Sequence, residues 1–278
     1  MMAIERLSAF AISDQVGGNP AGVMVCEQQL PSAQDMQRIA ADVGYSETVF
    51  SCRQGAAWRT RYFSPINEVP FCGHATIALG AVLAKRHGSG SYRLQLNGPE
   101  ITVEGTVNKG ALNATLTSAP TSSSPPADSF LAAALALFDL TAADLNPALP
   151  PVIADAGARH LILALKSRER LAAMQYELDK GKQLMDAENL ITIMLVQAAG
   201  EQQFNVRNPF ASGGVWEDPA TGAAAAAFGG YLNKIGWMHG GRVEIKQGED
   251  MGMPSQLIVH IDGAAGAPVR VGGRARFL

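Results

Sequence analysis

Most of the chain alternates apolar and polar positions in short runs broken by glycine and proline, the signature of many short β-strands. Such runs include Ile4 to Ile12, Val23 to Cys26, Tyr45 to Phe50, Trp58 to Phe63 and Ala111 to Thr117. In the second half they include His160 to Leu165, Ile191 to Val196, Phe204 to Arg207, Val243 to Lys246, Gln256 to Ile261 and Pro268 to Phe277. Ser32, with Asp35 three residues on, predicts a capped helix start, and Gly44 its end. Asp128 to Asp139 and Arg168 to Asn189 also read as helical, the latter as one largely surface helix. Two stretches break the pattern. Ala75 to Lys85 has no charge before Lys85, and Gly222 to Leu232 has none at all. A helix without a polar face is buried on every side.

The two apolar stretches are related. Shifting the chain by 149 residues (Gly222 minus Gly73) aligns GHATIALGAVLAKR with GAAAAAFGGYLNKI. Gly73, Ala75, Ala78, Gly80, Leu83 and Lys85 then meet identical residues. This points to an internal duplication: two α+β domains, each a β-roll around one central helix. Ala119 to Ala127, APTSSSPPA, is the clearest linker. We therefore expect domains at residues 1–120 and 121–278, with central helices at about 74–87 and 220–234. The last strand is a candidate to cross back to the first domain.

Composition narrows the function. The hydrophobic content of 47% supplies real cores, and the net charge of −3 is without a basic cluster, which argues against a nucleic-acid partner. Cys26, Cys52 and Cys72 include no C-x-x-C pair, so no structural zinc site is expected. Glu5 and Arg6 sit where a signal peptide needs its apolar core, and no uncharged run is long enough to span a bilayer. A cytoplasmic protein is expected, with no membrane partner.

The chemistry concentrates at the helix starts. A helix N-terminus carries N–H groups ahead of its first hydrogen bond and attracts anions. Cys72, Gly73 and His74 stand at the first such end, and Asp218 with Pro219 before the second. Glu47 reads either as a solvent-facing strand glutamate or as a general base in a closed pocket. His74 is either a structural histidine or a ligand group. Asp218 is either a helix cap or a cap that also meets a ligand. Cys72 is either packing or a reactive thiol. His87, His160, His239 and His260 read as structural or exposed. No Walker sequence occurs, and no G-x-G-x-x-G follows a strand and opens a helix, so nothing supports nucleotide binding.

Four motifs in order, Gly18-Asn19-Pro20-Ala21-Gly22, Ser46-Glu47-Thr48, Pro70-Phe71-Cys72-Gly73-His74-Ala75-Thr76 and Glu217-Asp218-Pro219-Ala220-Thr221-Gly222, resemble the PhzF family of phenazine-biosynthesis-like isomerases. The resemblance spans nearly the whole chain. It implies a diaminopimelate-epimerase-like fold, an interdomain cleft and cofactor-free proton transfer on a small carboxylated substrate. It implies Glu47 as the acid/base, with His74 and Asp218 as its catalytic partners. Substrate contacts would come from Asn19, Ser46, Cys72, Gly73, Thr221, Gly222 and Ala223, and the family commonly forms homodimers. Two positions depart from the pattern. Ala223 stands where the family often has serine, and Pro219 where the epimerase branch has its second cysteine. A two-thiol racemase mechanism needs both thiols and therefore fails here. The alternatives are a single-cysteine epimerase or lyase using Cys72, or a binding protein that kept the fold.

Overall fold

The apolar stretch after Cys72 is a helix, and strands close around it. In the computed structural model, which describes residues 4–98 and 100–278, the chain divides into two units. One comprises the residues up to Thr117 together with Gly272–Leu278, the other Ser118–Val271. The first half runs β1 (Glu5–Ala11), β2 (Asn19–Cys26), α1 (Ala33–Val43), β3 (Thr48–Gln54), β4 (Ala57–Phe63), β5 (Glu68–Val69), α2 (Gly73–His87), β6 (Gly90–Gln95), β7 (Glu100–Asn108) and β8 (Ala111–Thr117). There follow β9 (Ser122–Ser124), α3 (Asp128–Leu137), β10 (Val152–Asp155), β11 (Arg159–Leu165), α4 (Arg168–Ala172), α5 (Leu178–Ala187), β12 (Thr192–Ala198) and β13 (Gln203–Arg207). The chain closes with β14 (Pro209–Phe210), β15 (Val215–Glu217), α6 (Gly222–Lys234), β16 (Arg242–Gln247), β17 (Ser255–His260) and β18 (Arg270–Phe277).

In the first unit the strand order is β1-β2-β3-β4-β6-β7-β8-β18, and β18 pairs back onto β1, with Leu7 opposite Phe277. Among the described residues each strand on this path has a neighbour on both sides, which removes the pairing hazard of a free strand. Every residue of α2 from His74 to Ala84 is buried, as its lack of a polar face requires. Glycine permits the closest approach. A Cβ on Gly105 of β7 would lie 2.2 Å from the Gly80 carbonyl oxygen of α2. Ser32 caps α1 by accepting from the Asp35 N–H, and Gly44 ends it at φ 72°.

The second unit repeats the same pairing grammar. From β1 to β7 the pairs run antiparallel, parallel, antiparallel, parallel, antiparallel. From β10 to β17 they run in the identical sequence. Gly73 and Gly222 are the first residues of α2 and α6, so the alignment of the two apolar stretches is in register. The class is α+β, with one apolar helix per unit. Leu161, Leu163 and Leu165 of β11 join Ile193, Leu195 and the apolar faces of α3, α4 and α5 in one core. α6 packs against β9, β10, β11 and β17.

Three local readings need correction. The polar linker holds a strand: Ser122–Ser124 pairs with β10, Ser124 opposite Ile153. The single helix expected over Arg168 to Asn189 is two, α4 and α5. Tyr176 lies between them and stacks on Trp216, with ring centroids 5.3 Å apart, a position a continuous helix would not give it. The strand expected from Tyr45 starts only at Thr48, leaving Glu47 just ahead of it.

His160 is wholly buried on β11, and its Nδ1 lies 2.7 Å from the Thr192 hydroxyl on β12. Its Nε2 has no partner among the described residues. Burial pushes its pKa down from 6.5 to about 3. The unfolded chain thus binds a proton that the native state refuses. This contribution to stability is full above pH 6.5 and falls as pH drops through the window toward 3, by up to about 1.4 kcal/mol per pH unit. Urea unfolding of wild type and His160→Gln at several pH values checks this. Wild type is expected to lose stability more steeply below pH 6; parallel curves would refute the assignment.

Candidate active site

Glu47 is held by both its neighbours. Its carbonyl accepts the Gly22 N–H of β2 at 3.2 Å, and Thr48 after it opens β3. Its side chain is only 16% exposed and lies 3.4 Å from His74 Nε2. His74 is the second residue of α2 and is buried. The Ser46 hydroxyl lies 3.3 Å from the same Nε2, and Cys72 Sγ lies 3.4 Å from Nδ1. The hydrogen-bond contacts of the imidazole are thus the Ser46 hydroxyl at Nε2 and the Cys72 thiol at Nδ1, and the Glu47 carboxylate lies at ion-pair distance beside Nε2. The sequence left Glu47 open between solvent and pocket; the structure places it beside an imidazole at a buried helix end.

Cys72 is the N-cap of α2, but its side chain makes no capping bond. The first intrahelical bond is Thr76 N–H to the Cys72 carbonyl, 3.0 Å. The N–H groups of Gly73, His74 and Ala75 precede that ladder and provide the anion-attracting end of the helix. The Thr76 hydroxyl also donates to the Cys72 carbonyl at 2.7 Å and lies 2.7 Å from the buried Tyr62 hydroxyl. Burial pushes the Tyr62 phenol up, so it stays protonated and holds this turn.

The second unit builds a matching helix start. Thr221, not Asp218, is the N-cap of α6, which corrects the capping reading of Asp218. The Thr221 hydroxyl donates to Asp218 Oδ2 at 2.5 Å. The buried Gln247 ties the turn: its Nε2 donates to the Asp218 carbonyl at 2.6 Å and to the Thr221 hydroxyl at 3.0 Å. Its Oε1 accepts the Thr221 N–H at 3.2 Å. The first intrahelical bond is Ala225 N–H to Thr221 carbonyl, so the N–H groups of Gly222 and Ala223 precede the ladder.

Upstream of Asp218 the chain is clamped. Arg207 and Glu217 form a bidentate buried ion pair, at 3.1 and 2.6 Å. The side chains are 5% and 1% exposed. The guanidinium also donates to the Ala172 carbonyl at 2.8 Å. Asn208 is fully buried, its carbonyl accepts the Asp218 N–H at 3.1 Å, and its side-chain amide has no partner among the described residues. Sequence reading missed Arg207, Asn208 and Gln247, because their partners lie far along the chain.

The structure thus gathers Ser46, Glu47, Cys72, Gly73 and His74 in the first unit. In the second it gathers Asp218, Thr221, Gly222 and Ala223. Asn19 is buried at the start of β2, opposite Ala9 and three residues before Gly22. Among the described residues no helix is long and apolar enough to cross a membrane.

Comparison with known proteins gives a consistent picture. The family described as phenazine biosynthesis-like protein, PhzC-PhzF, matches residues 7–278. A trans-2,3-dihydro-3-hydroxyanthranilate isomerase of Pseudomonas fluorescens is 31% identical over 275 residues, covering 95% of this chain and 92% of its own. An uncharacterized isomerase of Deinococcus radiodurans is 31% identical over 272 residues, covering 93% and 87%. In structure, a predicted epimerase from Pseudomonas aeruginosa superposes with a TM-score of 0.85 at 24% identity, covering 100% of this chain and 97% of that one.

Proposed function

Because the chain belongs to the phenazine biosynthesis-like (PhzC-PhzF) family and its relatives are isomerases, we propose that it moves a proton between carbons of a small carboxylated substrate, with Glu47 as the acid/base. The observation that carries this reading is the Glu47 carboxylate, mostly buried, 3.4 Å from His74 Nε2 at the start of a buried helix. Glu47 as carboxylate takes a proton from carbon. The electron pair left behind spreads into the adjacent unsaturated system. The carboxylic acid so formed, 16% exposed and open to proton exchange with solvent, protonates another carbon, so no redox change and no cofactor enter. His74, 3.4 Å from the carboxylate, polarises the substrate. The N–H groups of Gly73 and His74 hold the substrate carboxylate, an interaction worth about 0.3 to 2 kcal/mol from the helix dipole before hydrogen bonds are counted. The same reading assigns substrate contacts to Asn19, Asp218, Thr221, Gly222 and Ala223.

Dihydro-hydroxyanthranilate, the substrate of the Pseudomonas fluorescens relative, is the first compound to try. Ala223 offers a backbone donor but no hydroxyl, so the chain is expected to accept a carboxylate with fewer hydroxyl-dependent contacts. Titration calorimetry of alicyclic and aromatic carboxylates against wild type and His74→Ala tests this. Loss of the imidazole is expected to weaken binding about 10-fold or more, the scale of a hydrogen bond to a charged group. Binding that is absent throughout, or indifferent to His74, would overturn the assignment.

A second reading has one observation in its favour: Cys72 Sγ lies 3.4 Å from His74 Nδ1, a thiol–imidazole pair. A single-thiol epimerase or lyase would use Cys72 with Glu47 or Asp218. The non-enzymatic alternative is set aside by the isomerase relatives.

A further inference from the structure

Three donors of different chemistry converge at the start of α2. One ligand atom each from Glu47, Cys72 and His74 lies within 4.8 Å of the others. From His74 Nε2 the distances are 3.4 Å to Glu47 Oε2 and 3.9 Å to Cys72 Sγ. Around a tetrahedral zinc ion, bond lengths of about 2.0 to 2.3 Å put neighbouring N and O donors roughly 3.4 Å apart and N and S donors roughly 3.5 Å apart. The Nε2–Oε2 edge already has that length, and the 3.9 Å Nε2–Sγ edge has to shorten by a few tenths of an ångström. Cys72 and His74 are buried and Glu47 nearly so, so bulk water competes weakly for an ion held there.

We propose that Glu47, Cys72 and His74 capture a thiophilic divalent cation of the zinc type, and that the captured ion inhibits the isomerase. The donor set selects the ion. Thiolate, imidazole and carboxylate together favour zinc and its neighbours, whereas magnesium and calcium want oxygen alone. Charge balances on binding. The thiol releases its proton to solvent, and thiolate plus carboxylate neutralise the dication while the imidazole stays neutral, its one proton on Nδ1 so that Nε2 can ligate. The inhibitory part rests on the proton-shuttle reading: a Glu47 oxygen bonded to metal no longer offers its lone pair to a carbon-bound proton. No spacing motif announces the site, because Glu47 comes from the lead into β3 and the other two donors from the start of α2.

The test begins with protein stripped of metal by EDTA and freed of chelator, and uses Co²⁺ alone as the probe. Wild type is expected to bind one ion per chain with an intense thiolate-to-cobalt absorption and the visible bands of tetrahedral Co²⁺. Zn²⁺ should displace both signals. Competition against a chromophoric chelator should show Zn²⁺ affinity falling at least 10-fold in Cys72→Ser, Glu47→Gln and His74→Ala. Co²⁺ spectra without a thiolate band in wild type, or equal Zn²⁺ affinity in wild type and all three variants, would overturn the site. Zn²⁺ binding that leaves turnover unchanged would overturn the inhibitory role. The titration needs no substrate, so a protein that binds Zn²⁺ but moves no proton even when metal-free contradicts the isomerase reading and leaves the metal site standing.

Discussion

Glu47→Gln is expected to fold normally, to bind a carboxylate ligand almost as well as wild type, and to turn over about 10²-fold more slowly or worse. That is the usual scale for losing a positioned acid/base. The amide matches the carboxylate in shape, so the strand lead and the Gly22 N–H to Glu47 carbonyl bond survive. It can still lie beside His74 Nε2, but it takes no proton from carbon. Steady-state kinetics with calorimetric affinity separates the two effects: kcat falls while Kd holds. Cys72→Ser is expected to cost less. The reverse ranking, with an active Glu47→Gln and a dead Cys72→Ser, would transfer the role to the thiol.

The largest expected effect on stability is at Arg207 and Glu217. The two side chains are buried, bidentate and salt-bridged, and Glu217 directly precedes Asp218. Removing Arg207 strands the buried Glu217 carboxylate in a low-dielectric interior, and removing Glu217 leaves the buried guanidinium only Asp250, 3.9 Å away. Glu217→Leu is expected to cost about 3 to 5 kcal/mol, and Arg207→Met a similar amount. The double variant should cost much less than the sum, because no charge is then left uncompensated. Urea denaturation of the four proteins closes the cycle. A single substitution costing under about 1 kcal/mol, or additive losses, would show that the pair is not a coupled unit. Trp216, stacked on Tyr176, also lies under the Arg207 guanidinium, 5.5 Å from its ring centroid.

The parts of this fold written in local sequence were legible. A helix with no polar face must be buried, and both such helices are. Ser32 with Asp35 and Gly44 specified a capped helix through contacts a few residues apart. Lys109 and Gly110, both at positive φ, turn β7 into β8 through the local sequence Asn-Lys-Gly. What failed depended on distant partners. The serines of the supposed linker become a strand because β10 is there to pair with them. The helix over Arg168 to Asn189 breaks at Tyr176, whose ring is claimed by Trp216 40 residues on. In the site, the residues at the helix starts could be named in advance. Gln247 and Asn208 could not, since only the folded chain brings them to the turn at Asp218. Nor could the contact of Cys72 and Ser46 with opposite nitrogens of one imidazole.

The central claim is that this chain moves a proton on carbon through Glu47. The most direct measurement incubates wild type, and separately Glu47→Gln, with trans-2,3-dihydro-3-hydroxyanthranilate and a pool of small carboxylates in heavy water. Mass spectrometry then identifies any compound that gains deuterium on carbon. The account predicts one such compound with wild type and almost no label with Glu47→Gln over the same time. Label appearing equally with both proteins, or a carboxylate isomerised by the variant at the wild-type rate, would contradict it.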